Sequence, residues 1–189
     1  MRHTLSPRHL AATTLCVFLV AFPLLPGQTS TPVRPQAAPT LLNWQEFISK
    51  EGAFRVEVPG TLRREVEPGQ TKDDPTLYRF TLVTNTAVYL IQYFEVPQLD
   101  QIPEMRRQQL FEESVKRFVN AVGGRLLSQQ TVQLDGVTGR EVVIGADGKF
   151  SRSRIYMARS RIYVVTIGAL SEADLASTGE RFLNSFKLL

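Results

Sequence analysis

Residues 137–169 read VTGREVVIGADGKFSRSRIYMARSRIYVVTIGA. The stretch parses into three strands, Val137 to Ala146, Phe150 to Ala158 and Ile162 to Gly168, because β-branched and aromatic residues fill it and turn residues punctuate it. Asp147-Gly148 joins the first two strands. Asp135-Gly136 lies just upstream, and Asp-Gly between apolar runs is a strong short-range hairpin signal. The runs Val142-Val143-Ile144 and Val164-Val165-Thr166-Ile167 lack polar–apolar alternation. Such strands are covered on both faces, so helices are expected on two sides of an antiparallel sheet.

Upstream, Leu126 to Leu134 forms the strand that the first Asp-Gly turn returns. Between Asp100 and Val122 the period becomes helical: Phe111, Val115, Phe118 and Val122 form a stripe, with Leu110 and Val119 beside it. Asp100 is the expected N-cap, Pro103 sits in the first turn, and Gly123-Gly124 ends the helix. Glu112–Lys116 and Glu113–Arg117 are i,i+4 pairs in the favourable order. Earlier still, Ala87 to Val96 and Leu77 to Val83 form a hairpin over Thr84-Asn85-Thr86, preceded by a weaker strand, Leu62 to Val66. Phe54, Val56 and Val58 alternate with Arg55 and Glu57, as in a half-buried strand, and Trp44 to Phe47 approaches it. Downstream, Ser171 caps a C-terminal helix with Asp174 at N3 and Leu170 and Leu175 at staple positions. Its expected buried stripe is Leu175, Thr178, Phe182 and Phe186. The fold class is α+β: a single domain, residues 42–189, with an antiparallel sheet flanked by helices.

Residues 1–41 read differently. Arg2, His3, Arg8 and His9 precede an apolar run from Leu10 to Leu25, the layout of a signal peptide over residues 1–27. The run is short for a bilayer span and is broken by Pro23 and Pro26. Thr13-Thr14-Leu15 is the wrong approach to a lipidated Cys16. Residues 28–41, rich in Pro, Ser and Thr, form a flexible linker. The expected location is therefore the periplasm or the exterior. The alternative is an inner-membrane anchor through an uncleaved N-terminal segment, the only membrane contact expected.

The chain has 189 residues, 43 % of them hydrophobic and 21 % charged, which suits one globular domain. Its formal charge of +4 comes from 22 basic and 18 acidic residues; without Arg2 and Arg8 the basic count falls to 20. That near balance gives no electrostatic reason to expect nucleic acid. The only cysteine, Cys16, and the only histidines, His3 and His9, lie in the expected leader. Beyond it there is no thiolate nucleophile, no His-based triad and no ordinary zinc site, and no cofactor is expected.

Three constellations could carry chemistry. Arg152, Arg154 and Tyr156 share one face of their strand, and Arg161 and Tyr163 follow, with Arg159 between them. They are candidates for a ligand- or partner-binding surface, because guanidinium forks suit carboxylate and phosphate. The plainer reading, a solvated sheet face whose arginines meet cross-strand acids, is preferred. Glu141, inside an apolar strand, is the one candidate acid/base, although Arg152 or Arg154 on the next strand would hold it as an ion-pair partner. Glu67, Asp73 and Asp74 offer oxygens to calcium but lack EF-hand spacing, so a solvated loop is preferred.

Four segments together carry a resemblance: WQEFISKEGAFRVEVPG (44–60), DGVTGREVVI (135–144), SRSRIYMARSRIYVVTI (151–167) and ERFLNSFKL (180–188). Their order resembles a family of exported bacterial proteins of uncharacterised role. In architecture these are similar to the extrinsic photosystem II subunit PsbP and its relatives. The resemblance implies a PsbP-like α/β/α sandwich and no catalytic residues; a photosynthetic role does not transfer on fold alone. The expected function is a non-enzymatic envelope module binding a protein or small-molecule ligand through its sheet or a helix–sheet groove. The alternatives are a carboxylate-dependent hydrolase or transferase centred on Glu141, and a chaperone-like accessory factor.

Overall fold

The computed structural model describes residues 43–71, 74–121 and 123–189. The expected signal peptide and linker lie outside the described residues, as do Asp73 and Val122. The elements run β1 (Gln45–Ser49), β2 (Phe54–Val58), β3 (Arg63–Glu67), β4 (Leu77–Val83), β5 (Ala87–Glu95), α1 (Glu104–Ala121), β6 (Arg125–Leu134), β7 (Val137–Ala146), β8 (Lys149–Ala158), β9 (Arg161–Ala169), α2 (Glu172–Ser185) and β10 (Lys187–Leu188). They form a single α+β domain with antiparallel sheets and two helices packed on them.

The expected strands all form, but in two sheets. Among the described residues, a seven-stranded sheet has the order β3-β4-β5-β9-β8-β7-β6, and a three-stranded sheet the order β1-β2-β10. The small sheet gains its third strand, β10, because the C-terminal helix ends sooner than its apolar spacing suggests. Phe186 is already extended (φ −65°, ψ 127°), and Lys187 and Leu188 pair with Arg55 and Phe54. Phe186 keeps its place in the core, fully buried, with its ring 5.5 Å from that of Phe54.

The two faces of the large sheet have separate cores. On one, Phe111 and Val115 of α1 pack with Phe94, Val142, Ile155, Met157 and Val164. On the other, α2 and the small sheet enclose an aromatic cluster: Phe54, Phe80, Tyr89, Tyr93, Tyr156, Tyr163, Phe182 and Phe186. Two-sided cover explains the unbroken apolar runs, since every residue of β9 after Arg161 is buried.

Helix α1 starts later than Asp100. Leu99–Gln101 form a 3₁₀ turn, and Ile102 is extended at ψ 122°. A residue preceding proline is pushed out of the helical region, so Ile102 before Pro103 interrupts the turn. The helix then starts anew, with Pro103 O accepting from the Arg106 and Arg107 amides at 2.9 and 3.0 Å. Of the expected stripe, Phe111 and Val115 are buried and Ser114 joins them; the side chain of Phe118 and all of Val122 lie outside the described residues. Helix α2 is capped as expected, Ser171 Oγ accepting from the Asp174 amide at 3.1 Å. The staple stays open: Leu175 is buried, but Leu170 is 48 % exposed. Leu183, absent from the expected stripe, is buried beside Phe182.

Gly139 on β7 lies opposite Tyr156 on β8. A Cβ there would come within 2.5 Å of the Tyr156 ring and 2.6 Å of the Ile155 carbonyl oxygen. The carbonyl cannot move without breaking the ladder, so Gly139→Ala is expected to cost about 1–3 kcal/mol, read as a lower midpoint in urea. Burial, reinforced by the Glu51 carboxylate, pushes the Tyr93 phenol up to about 12. The folded state therefore holds a proton that the unfolded chain releases near pH 10. The contribution is complete below that pH and is lost as pH rises through about 12. Tyr93→Phe should flatten the alkaline fall in stability across that window, as followed by melts at stepped pH.

Candidate functional site

Glu141 is the natural starting point, a buried carboxylate in the middle of β7. Register places Gln130 of β6 on one side of it and Arg154 of β8 on the other. Gln130 Nε2 donates to Glu141 Oε1 at 2.8 Å, and Arg154 Nε donates to Glu141 Oε2 at 2.7 Å. Arg154 Nη1 continues to the Leu183 carbonyl near the end of α2, at 3.1 Å. Both carboxylate oxygens are thus engaged, and the guanidinium ties sheet to helix. That is the work of a cross-brace, made by a carboxylate that is itself buried.

The other residues of the Arg/Tyr hairpin do not gather into one accessible patch. Arg152, Arg154 and Tyr156 do share a face, but it is the face covered by α2, not a solvated one. Tyr156 is buried with its ring parallel to that of Phe186, centroids 6.1 Å apart. Burial pushes its phenol up, against the neighbouring Arg154 charge. Tyr163 is buried too, and its hydroxyl donates to Gly52 O at 2.9 Å. Arg161 sits at the far end of β9, donating to Glu95 at 3.0 and 3.2 Å with its guanidinium 5.5 Å from the centre of the Tyr93 ring. Arg152 Nε is buried without a hydrogen-bond partner. Of the candidate calcium ligands that are described, Glu67 binds Arg79 at 2.6 Å, and Asp74 accepts from the Thr71 amide and hydroxyl at 3.0 and 2.9 Å. Among the described residues no group of three His, Cys, Asp or Glu side chains could hold a metal ion, and no helix is long and apolar enough to cross a membrane.

Open space lies elsewhere, at the end of the sheet where the β6–β7 and β8–β9 turns meet the start of α1. A cleft of about 270 Å³ is lined by Glu104, Arg107 and Phe111 from the helix, Gly136, Val137 and Thr138 from one hairpin, and Met157, Ala158 and Arg159 from the other. The adjacency follows from strand order, since neighbouring hairpins point their turns the same way. Glu104 is bonded through both oxygens: Oε2 accepts from Arg107 Nη2 at 2.8 Å and Oε1 from Gln108 Nε2 at 2.6 Å. Gln108 in turn accepts from Arg140 Nη2 at 2.7 Å, and Arg140 Nη1 donates to Thr131 at 3.0 Å. The chain of bonds locks the first turns of α1 onto β7 and β6. Arg107 retains a buried Nε without a partner, and Arg159, held in the left-handed region at φ 54°, is exposed at the cleft. Two guanidiniums against one committed carboxylate, at the positive end of an 18-residue helix, make the cleft attractive to anions. No local sequence signal marks Arg107 or Thr138, which are distant along the chain and match no motif; Arg159 stands out in the sequence only as part of the Arg/Tyr run.

No family model matches the chain, and no curated protein matches it. Among solved structures it is similar to cyanobacterial PsbP (CyanoP) from Synechocystis, at 10 % identity and a TM-score of 0.56, covering 84 % of this chain and 100 % of that one. It is also similar to the Ran-binding protein Mog1p of Saccharomyces cerevisiae, at 13 % identity and a TM-score of 0.45, covering 78 % and 96 %. At such identity the PsbP likeness establishes the fold and nothing about activity.

The brace gives a direct expectation. Glu141→Gln leaves Arg154 without its counter-charge inside the protein and should destabilise by roughly 3 kcal/mol. Adding Arg154→Met should cost much less than the sum of the two single changes, because the pair acts as a unit. Chemical-denaturation midpoints of the four proteins in the cycle measure this; additive losses would count against the brace.

Proposed function

We propose that this protein is an exported, non-enzymatic binding module of the cell envelope, and that its ligand is a small anion seated in the cleft between α1 and the two hairpin turns. The observation that carries the reading is the donor set at the cleft: the unpartnered Arg107 Nε, the exposed Arg159 and the helix start. Polar groups that converge on a concave site are what orient a bound ligand. Catalysis by carboxylates is less well supported. Glu141 is buried and bonded to Gln130 and Arg154, and Glu104 is bonded to Arg107 and Gln108, so both carboxylates already serve structural contacts. The leader-like segment supports export, and cell fractionation tests it.

Titration of the ¹⁵N-labelled protein with citrate, succinate and inorganic phosphate tests the cleft. Shifts are expected to cluster at Thr138, Arg159 and the Arg107 Nε–H signal. Arg159→Gln should weaken binding up to about fivefold, since a charged contact from an exposed side chain is worth about 0.2–1 kcal/mol. Shifts spread over the surface, or none with any of the three anions, would sink the reading.

A further inference from the structure

The two edges of the large sheet are built in opposite ways. Strand β3 is short, and Arg63, Arg64, Glu65 and Glu67 make four of its five residues charged. Short charged edge strands are how proteins prevent unwanted pairing. Strand β6 has ten residues, RLLSQQTVQL, with Arg125 as its only charge and no proline. Residues 125–131 are all exposed. The register of β6 is held at its far end by the Asp135-Gly136 turn and by Leu134 and Val132 in the core, and along the exposed part by side-chain bonds to β7: Gln130 to Glu141, Arg140 to Thr131 and Gln133 to Thr138. A bulge between Leu126 and Ser128 is the only irregularity, and it leaves Leu126 and Leu127 39 % and 37 % exposed. The outer side of β6 therefore presents a long, uncharged row of backbone donors and acceptors.

We infer that this edge is the seat of a second copy of the chain, with two β6 strands pairing antiparallel about a two-fold axis at Gln130 to join the seven-stranded sheets into one. Self-complementarity selects a copy over a foreign strand. Pairing centred on Gln130 brings Arg125 of each copy to the end of the other's β6, where Asp135 opens the turn; the Leu126–Ser128 bulge takes the two out of direct register, and the long guanidinium side chain spans the offset, so both ends of the junction acquire an ion pair. Neither residue has an ion-pair partner within the described residues. Between the ends, Gln129 faces Thr131 and Ser128 faces Val132, pairs without like charges. Symmetric pairing of one surface with itself is the usual route to a dimer. The junction lies away from the anion cleft and does not depend on it.

The test uses the full chain, carrying Cys16→Ser and purified as the producing cells process it. Residues directly opposite in an antiparallel pair have Cα atoms about 4.5–5.5 Å apart, within disulfide reach. Gln130→Cys is therefore expected to cross-link two chains under mild oxidation. Arg125→Cys should not, because its two copies would stand about 34 Å apart along the strands. Sedimentation equilibrium should give the mass of two chains. Gln130→Lys, which sets like charges across the axis, should weaken association about fivefold; its melting temperature in the single-chain form should hold, since a lysine there still faces Glu141. A single-chain mass at every concentration overturns the inference. So does a two-chain mass that Gln130→Lys leaves untouched, or one in which Gln130→Cys fails to cross-link. A single-chain protein whose β6 amides become protected only on adding an unrelated extended peptide also overturns it, in favour of a foreign strand.

Discussion

Strand β9 runs antiparallel to β5 from Ala87↔Ala169 to Glu95↔Arg161, and nearly every residue of both strands is shielded from water. This pairing joins the N-terminal hairpin, β4–β5, to the C-terminal meander, β6 to β9, although α1 and three strands separate the two in sequence. An interior strand can satisfy its backbone only through its neighbours, so the pairing must run the full length of both. Once it exists the sheet has two apolar faces, and each needs a cover. Helix α1 supplies one, and α2 with the small β1-β2-β10 sheet supplies the other.

The polar groups fit around that constraint. Glu141 lies inside the sheet but is answered from both flanking strands, and Arg154 carries the connection on to the backbone of α2. Buried Ser153 and Thr166 answer each other across β8 and β9 at 2.8 Å. The buried carboxamide of Gln92, by contrast, has no hydrogen-bond partner on either atom, and nothing in the structure accounts for it. The cleft at the foot of α1 is a by-product of the same architecture. Two parallel-running hairpins end together, and the first turns of the helix complete the lining.

Much of this was legible in the sequence because the signals were local. Asp-Gly turns at 135–136 and 147–148, Ser171 as a cap and the apolar runs of β7 and β9 each report the conformation of adjacent residues. The Glu141–Arg154 contact was also within reach, since a hairpin with a known turn sets its own register. Other features were not local. Spacing alone could not tell that Phe186 leaves the helix, because a buried aromatic satisfies either conformation. Tyr156 and Tyr163 looked like part of a surface because alternation identifies a face without saying what lies on it.

What the sequence determined by itself, then, was the set of elements and the sides they bury, through periodicity and turn chemistry acting over a few residues. Tertiary structure alone decided that β9 returns to β5, that the last residues form a strand on β2, and that Arg107, Thr138 and Arg159 share a cleft. The reason is physical: each of those juxtapositions is fixed by which apolar faces must be covered at once, and that is a property of the whole chain.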